Sequence, residues 1–243
     1  MQKSLMRTTN AWTQFTKGCH DGIPIGLGYL AVSFSFGIKA LLEHLTIGQA
    51  VLMSGLNLTS AGQFASLSVI ASAGSYLEMA LSQLIINLRY CLMSASLSQK
   101  VDPSAPFFHR FIMAFGTTDE IFALSSAVQG PLSPFYTYGQ MAVAIPGWTI
   151  GTLLGAIAGN ILSARVLVAL SVALYAMFCA IIVPPARKSP VLTWVIVLSM
   201  AISAVFSFAP YLREISAGMR VIILTVGISA AAALIRPVKE DAA

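Results

Sequence analysis

Two adjacent acids stand inside an apolar stretch of this sequence, in the run Phe115-Gly-Thr-Thr-Asp-Glu-Ile-Phe-Ala123. On a helix, Asp119 and Glu120 point about 100° apart, so one acid can pair with a cation while the other faces a cavity. An acid at membrane depth either takes up and releases protons or serves as a salt-bridge partner. Both roles stay open for these residues, which are the candidates for coupling a process to protons.

A basic residue, Arg89, occupies the middle of the preceding apolar segment. An arginine at bilayer depth costs at least about 2.5 to 3.5 kcal/mol unless it faces a partner or water. Arg89 therefore needs an internal carboxylate, helix carbonyls or a hydrated cavity, and it either clamps helices together or lines a solute path. The same helix is expected to carry a polar stripe, because helical spacing aligns four side chains. These are Gln83, Asn87, Tyr90 and Ser94.

Capping signals predict that a helix begins inside this apolar region. Thr117-x-x-Glu120, which follows Gly116, matches the capping box that closes a helix N-terminus. Such an N-terminus presents unpaired amides and a positive dipole end, which can hold a substrate carboxylate. A second break is expected at Ser60-Ala-Gly-Gln-Phe64. The candidate residues of a substrate path are Ser60, Gly62, Gln63, Asn87, Arg89, Tyr90, Thr117 and Thr118.

The composition identifies the elements that must position these groups as membrane helices. Hydrophobic residues make up 57% of the chain and charged residues 9%, with a mean hydropathy of +0.81. A soluble domain carries about 25% charged residues, and it could not hide so much apolar surface. At about 20 apolar residues per span, 243 residues hold seven or eight helices. We therefore expect an all-α integral membrane protein with about seven or eight transmembrane helices.

Eight apolar segments can be delimited, and they divide into two kinds. The first four carry polar and charged residues at membrane depth, so one or two discontinuous or re-entrant helices are expected in this half. The second of these is either a broken span or a re-entrant hairpin, which leaves the count at seven or eight. The last four are typical of scaffold helices, apart from an interruption at Pro146-Gly147. The segments are Ile23–Leu42, Ile47–Ala73, Tyr76–Leu97, Phe107–Val128, Tyr136–Leu162, Val166–Pro184, Val191–Pro210 and Arg220–Arg236.

No soluble domain or long linker is visible, so residues 1–243 are interpreted as a single polytopic domain. Lys3, Arg7 and Lys17 precede the first span, and this positive bias predicts that segment 1–21 is cytoplasmic. Ile-Pro-Ile-Gly at 23–26 and Ile-Pro-Gly-Trp at 145–148 are candidate marks of two structural repeats. Glycines in the first span are explained equally by close helix packing and by a hinge.

Several functional classes lack support. The net charge is +5, but the basic residues lie at the ends of apolar segments, where they meet lipid headgroups, so no nucleic acid is expected as a partner. The three cysteines show no metal spacing. The chain has no P-loop and no hydrolase motif, so no enzyme activity, cofactor or metal is expected.

The order of these features resembles the large subunit of the branched-chain amino acid exporters, the AzlC family. The resemblance covers roughly the first 125 residues. The run from Phe115 to Phe122 is its most specific part. The other matching runs are Gly18-Cys-His-Asp-Gly-Ile-Pro24, Gly28-Tyr-Leu30, Phe34-Ser-Phe-Gly37, Ser60-Ala-Gly-Gln-Phe64, Asn87-Leu-Arg-Tyr90 and Ser94-Ala-Ser-Leu97.

The resemblance implies a multi-pass protein of the bacterial cytoplasmic membrane that exports branched-chain or related amino acids. It also implies ion-gradient coupling and a small, separately encoded AzlD-type membrane subunit as partner. Two departures stand out: Ser-Ala-Gly-Gln replaces the usual Gly-Ala-Ser-Gln, and Arg89-Tyr90 replaces the common Arg-His. The second departure removes a histidine, which argues against a histidine proton relay at this position.

The leading hypothesis is a secondary transporter with a mid-membrane site. In it, Arg89 or a helix N-terminus meets the substrate carboxylate, and Asp119 or Glu120 handles coupling. One alternative keeps the transporter but changes the solute or the direction. Another is a non-transporting membrane protein. It would be either an assembly subunit, whose charges would bind partner helices, or an intramembrane enzyme, for which only scattered serines are present.

Overall fold

The structure is a computed structural model that describes residues 10–161 and 189–235, together with residues 179, 182, 183, 186 and 187. Most of the predicted segment Val166–Pro184 therefore lies outside the described residues. The described chain is helical, with a 3-10 turn at Leu212–Glu214. Its helices are α1 (Ala11–Leu42), α2 (Ile47–Leu56), α3 (Ala61–Ala71), α4 (Tyr76–Lys100), α5 (Phe108–Gly116), α6 (Asp119–Ala127), α7 (Pro134–Ile161), α8 (Pro190–Phe208) and α9 (Ala217–Ile235).

Three of these helices are long and apolar enough to cross a membrane, namely Ala11–Leu42, Pro134–Gly159 and Pro190–Phe208. The helices at Ile47–Leu56, Ala61–Ala71 and Met219–Ile235 are apolar but shorter. The helical character predicted from composition is thus confirmed. α1 begins at Ala11 rather than at Ile23, because Asn10 caps it by accepting a hydrogen bond from the Trp12 amide.

The described residues form two compact units. The first contains residues 10–60 and 88–161, and the second contains 61–87 and the described residues beyond 163. α4 contributes its first half to the second unit and its second half to the first.

The centre of the first unit is the pair α1 and α7, which pack along most of their length. Their contacts advance in step, from Gly18 beside Gly139 to Gly26 beside Gly147 and Phe34 beside Gly155, so the two helices run parallel. A Cβ on Gly147 would lie 2.5 Å from the Gly26 carbonyl oxygen. Glycines repeating every fourth residue let helix backbones approach this closely. Gly26 therefore serves packing, whereas a Cβ on Gly28 would meet nothing within 4 Å.

The predicted interruption at Pro146-Gly147 is wrong, because α7 continues through it from Pro134 to Ile161. Proline removes one backbone hydrogen bond, and membrane helices tolerate this where a neighbouring helix packs closely. Here the neighbouring helix is α1, which contacts Gly147 at Gly26. α1 also contains a proline, Pro24, two residues before this contact. The two Ile-Pro motifs thus lie on parallel helices of one unit at matching levels.

The segment Phe107–Val128 is discontinuous, as its capping signals predict, and does not form one continuous spanning helix. α5 begins beside the first turns of α7, where the His109 ring nitrogen lies 2.7 Å from the Tyr138 hydroxyl. α6 returns to the same level, since Ser125 donates to Gln140 at 3.0 Å. α5 and α6 therefore form a re-entrant hairpin, with both ends near the start of α7 and its tip at 117–118. Polar residues at the tip make this reversal possible, and a hydropathy average does not register them.

The segment Ile47–Ala73 is divided as expected, into α2 and α3. Within the first unit, α2 packs on α7, and the Ser54 and Thr152 hydroxyls lie 2.7 Å apart. α2 ends at Leu56, and the chain is non-helical from 57 to 60. Leu58 packs in one cluster with Tyr29 and Ile121, so this break reaches the level of the hairpin tip.

In the second unit, α3 packs against the first half of α4 and against α9. Glu78, from the first turn of α4, accepts hydrogen bonds from the Ser216 hydroxyl and, at 3.2 Å, from the Met219 amide. The carboxylate of one helix therefore caps the N-terminus of another. α8 contacts α9 in the same unit.

Candidate functional site

The tip of the re-entrant hairpin starts a helix inside the apolar region, as the sequence predicts, but its cap is not Thr117. The Thr117 hydroxyl donates to the Met113 carbonyl at 2.8 Å, so it is already used by the end of α5. Thr118 has an extended backbone, and its hydroxyl accepts from the Ile121 amide at 3.4 Å. The cap therefore lies one residue after the one that the Thr117-x-x-Glu120 pattern predicts, because sequence spacing does not show that the Thr117 hydroxyl bonds to the preceding helix.

The first turn of α6 places an acid against an arginine. An Nη atom of Arg89 lies 2.8 Å from an Asp119 carboxylate oxygen, so the expected ion pair involves Asp119. The guanidinium also donates to the Tyr90 hydroxyl at 3.2 Å and lies 5.0 Å from the centre of that ring. Arg89 is thereby oriented toward the hairpin tip by a neighbour on its own helix.

The second acid has a different partner. Glu120 accepts a hydrogen bond of 2.5 Å from the hydroxyl of Tyr29, on α1. Tyr29 is 8% exposed and packs edge-on against Trp148, with ring centres 5.3 Å apart. Sequence reasoning missed Tyr29; the usable signal was that a tyrosine inside an apolar helix needs a partner for its hydroxyl.

The break after α2 contributes backbone groups to the same region. The Tyr90 hydroxyl donates to the Thr59 carbonyl at 3.5 Å. The buried Thr59 hydroxyl oxygen has no hydrogen-bond partner among the described residues. Ser60 follows with φ of 49°, a left-handed conformation that a non-glycine residue adopts at a cost. Ser60, Arg89, Tyr90, Thr117, Thr118, Asp119 and Glu120 therefore all belong to the first unit.

Three other predicted residues, Gly62, Gln63 and Asn87, belong to the second unit. The amide of Gln83 donates to the Gly62 carbonyl at 2.9 Å, and Asn87 donates to Gln83 at 3.1 Å. Gln63 is fully buried. The predicted polar stripe of α4 thus contacts α3 through Gln83 in the second unit, and the α2–α3 break through Tyr90 in the first.

The charged groups at the hairpin tip lie deep in the helical body of the first unit and yet remain accessible. Tyr29 and Trp148, which neighbour them, lie near the middles of α1 and α7. The side chains of Arg89 and Asp119 are 46% and 47% exposed. Charges at this depth face water-filled space or a polar partner, because lipid does not solvate them. We call Tyr29, Arg89, Tyr90, Asp119 and Glu120 the tip cluster. In the described part of the chain, no three His, Cys, Asp or Glu side chains converge as metal ligands.

Long apolar helices, glycine-mediated helix packing, a re-entrant hairpin and charges at mid-depth together define an all-helical membrane protein. Among known families, the sequence model of the AzlC protein matches residues 24–162, more than half of the chain. The protein belongs to the AzlC family, which confirms the resemblance drawn from its motifs.

Two relatives are named as membrane proteins. An uncharacterized membrane protein of Archaeoglobus fulgidus is 31% identical over 181 residues, covering 74% of this chain and 79% of that protein. The inner membrane protein YgaZ of Escherichia coli is 28% identical over 150 residues, covering 60% of this chain and 61% of YgaZ. No solved structure matches the chain.

Proposed function

We propose that this protein is a secondary transporter that exports branched-chain or related amino acids across the bacterial cytoplasmic membrane. The observation that carries the proposal is the tip cluster, in which an arginine and two acids remain accessible at mid-depth. Ionisable residues at membrane depth, near the ends of broken helices, are typical of substrate and ion sites in transporters. Family membership supports the same class of function.

In the proposed mechanism, Arg89 meets the substrate carboxylate. A guanidinium offers five N–H donors, and the contacts to Asp119 and Tyr90 leave donors for a further partner. The α6 N-terminus is the weaker candidate for the carboxylate, since Asp119 and Glu120 already place negative charge in its first turn. Transport is coupled to the proton gradient through Asp119 or Glu120.

A small AzlD-type membrane subunit completes the proposed transporter. The principal rival from another class is a non-transporting assembly subunit, and the half-exposed Arg89–Asp119 pair favours it as a second candidate because a partner helix can cover such a pair. Under this alternative, Arg89→Ala abolishes complex formation and causes no transport defect separable from that loss. Under the transporter proposal, Arg89→Ala leaves the complex intact and abolishes transport.

The decisive experiment is efflux of preloaded radiolabelled leucine, isoleucine and valine from cells expressing this chain. Efflux is measured with and without the small subunit, and with and without a protonophore. Protonophore-sensitive efflux that needs the second subunit supports the whole proposal. If the folded, membrane-inserted protein moves none of the three, the substrate assignment is wrong, and counterflow with other amino acids and organic acids identifies the solute and direction.

A further inference from the structure

The two adjacent acids of the tip cluster are held in chemically different ways. Asp119 lies 2.8 Å from a guanidinium, so its negative charge is balanced by a cation. Glu120 accepts from the neutral hydroxyl of Tyr29, and it takes part in none of the ion pairs of the described residues. Glu120 is also exposed, so a cation that the described residues do not supply can reach its carboxylate.

The surroundings of Glu120 contain few other titratable groups. α1 contributes Tyr29, α4 contributes Arg89 and Tyr90, and the neighbouring acid on α6 is Asp119. From α7 and the α2–α3 break, the same neighbourhood receives the apolar side chains grouped with Tyr29, among them Trp148 and Leu58. Arg89 is the cation of this group, and Asp119 holds it.

The direction of transport restricts which of the two acids can couple amino-acid movement to the proton gradient. An inward proton gradient drives export only if proton and substrate compete for the site and cross in opposite directions. A substrate carboxylate that takes Arg89 from Asp119 leaves that acid without its cation and so promotes its protonation. Proton and substrate would then bind together, and the gradient would drive uptake. A substrate whose ammonium group binds Glu120 competes with a proton instead. Protonation of the Glu120 carboxylate removes the negative charge that binds the ammonium.

We propose that Glu120 binds the ammonium group of the amino-acid substrate and exchanges it for a proton, while Asp119 stays paired with Arg89 in a structural role. This rests on the export function proposed above. In the exchange, protonated Glu120 loses one proton to the side to which the site is open, and its carboxylate then forms an ion pair with the substrate ammonium. Each amino acid bound releases one proton.

The test is equilibrium binding of leucine to the full chain in lipid nanodiscs, with its small subunit if efflux requires it, over a series of pH values. Competition with one proton makes the apparent affinity for leucine fall by about tenfold per pH unit on the acid side. Isopentylamine, which keeps the ammonium, is expected to show the same dependence. Isocaproate lacks the ammonium, so its apparent affinity is not expected to fall in this way.

Variants separate Glu120 from its neighbour. Glu120→Gln is expected to bind leucine weakly and without the acid-side fall, whereas Glu120→Asp keeps the fall. Glu43→Gln is the matched control, since Glu43 lies outside the site and pairs with Lys39 at the end of α1. If Glu120→Gln does not fold, the comparison of isopentylamine with isocaproate on the wild-type protein decides the question.

Proton-driven leucine efflux that survives in Glu120→Gln overturns the inference alone. Leucine binding that strengthens as pH falls would identify Asp119 as the coupling acid and favour uptake, so it overturns both the inference and the export direction. A wild-type protein that neither binds nor exports any branched-chain amino acid overturns the proposed function instead.

Discussion

Replacing Gly147 by alanine should separate α1 from α7 and weaken the fold around the tip cluster. The added Cβ would lie 2.5 Å from the Gly26 carbonyl oxygen and 3.0 Å from its Cα. Ordinary contact begins at 3.4 Å, so the oxygen is roughly 0.9 Å too close. Both obstructing atoms are backbone, and no side chain can rotate away. The helices must therefore move apart as bodies, which also displaces Trp148 relative to Tyr29.

Overpacking of this kind costs about 1 to 3 kcal/mol. At about 2 to 4 °C per kcal/mol for a chain of this size, we expect the melting temperature in detergent to fall by about 2 to 12 °C. Leucine efflux should fall as well, since Tyr29 loses its fixed position beside Glu120. The assay is thermal unfolding of the purified variant, followed by efflux at a matched expression level.

Gly28→Ala is the matched control, since it lies on α1 two residues from Gly26 and its Cβ would meet nothing within 4 Å. Alanine is the better helix former by about 0.5 to 1 kcal/mol, so this variant should be neutral or slightly stabilised. If Gly147→Ala and Gly28→Ala melt alike, the close packing of α1 and α7 is refuted as a source of stability.

Three further predictions concern individual contacts. Arg89→Gln and Asp119→Asn should each lower the free energy of unfolding. In a thermal double-mutant cycle, the loss in the double variant should be smaller than the sum of the two single losses by about 0.5 to 3 kcal/mol. Strict additivity would mean that the pair is not formed. Tyr29→Phe removes the hydrogen bond to Glu120, so efflux should drop while the melting temperature changes little; unchanged efflux would exclude Tyr29 from the site. Glu78→Ala removes a cap from α9 and should cost about 1 kcal/mol, with faster hydrogen exchange at the Met219 amide; unchanged exchange there would contradict the capping contact.

Local sequence features predicted much of the first unit. The low charge content identified membrane helices, because lipid excludes unpaired charge. Polar residues inside apolar segments marked both breaks, since a chain that interrupts a helix needs groups to satisfy its backbone. The pairing of Arg89 with one of two adjacent acids also followed from the free-energy cost of an unpaired charge in lipid. Each of these conclusions depends on what a residue can tolerate in lipid, which its type largely determines.

Other features depend on which segments meet, and residue type does not decide that. The reversal of the chain between α5 and α6 is set by their packing against the start of α7, and the parallel contact of α1 with α7 joins glycines that are far apart in sequence. The cap at Thr118 rather than Thr117 depends on a hydroxyl already used by α5.

The sequence by itself thus determined that this is a helical membrane protein with broken helices and charges to be balanced at depth. Only the tertiary structure decided how each charge is held. It gave Asp119 a cation and Glu120 a neutral phenol, because the turn at the tip points the two carboxylates to different helices. The group that each carboxylate contacts lies far away in the sequence, so two adjacent acids can have different partners.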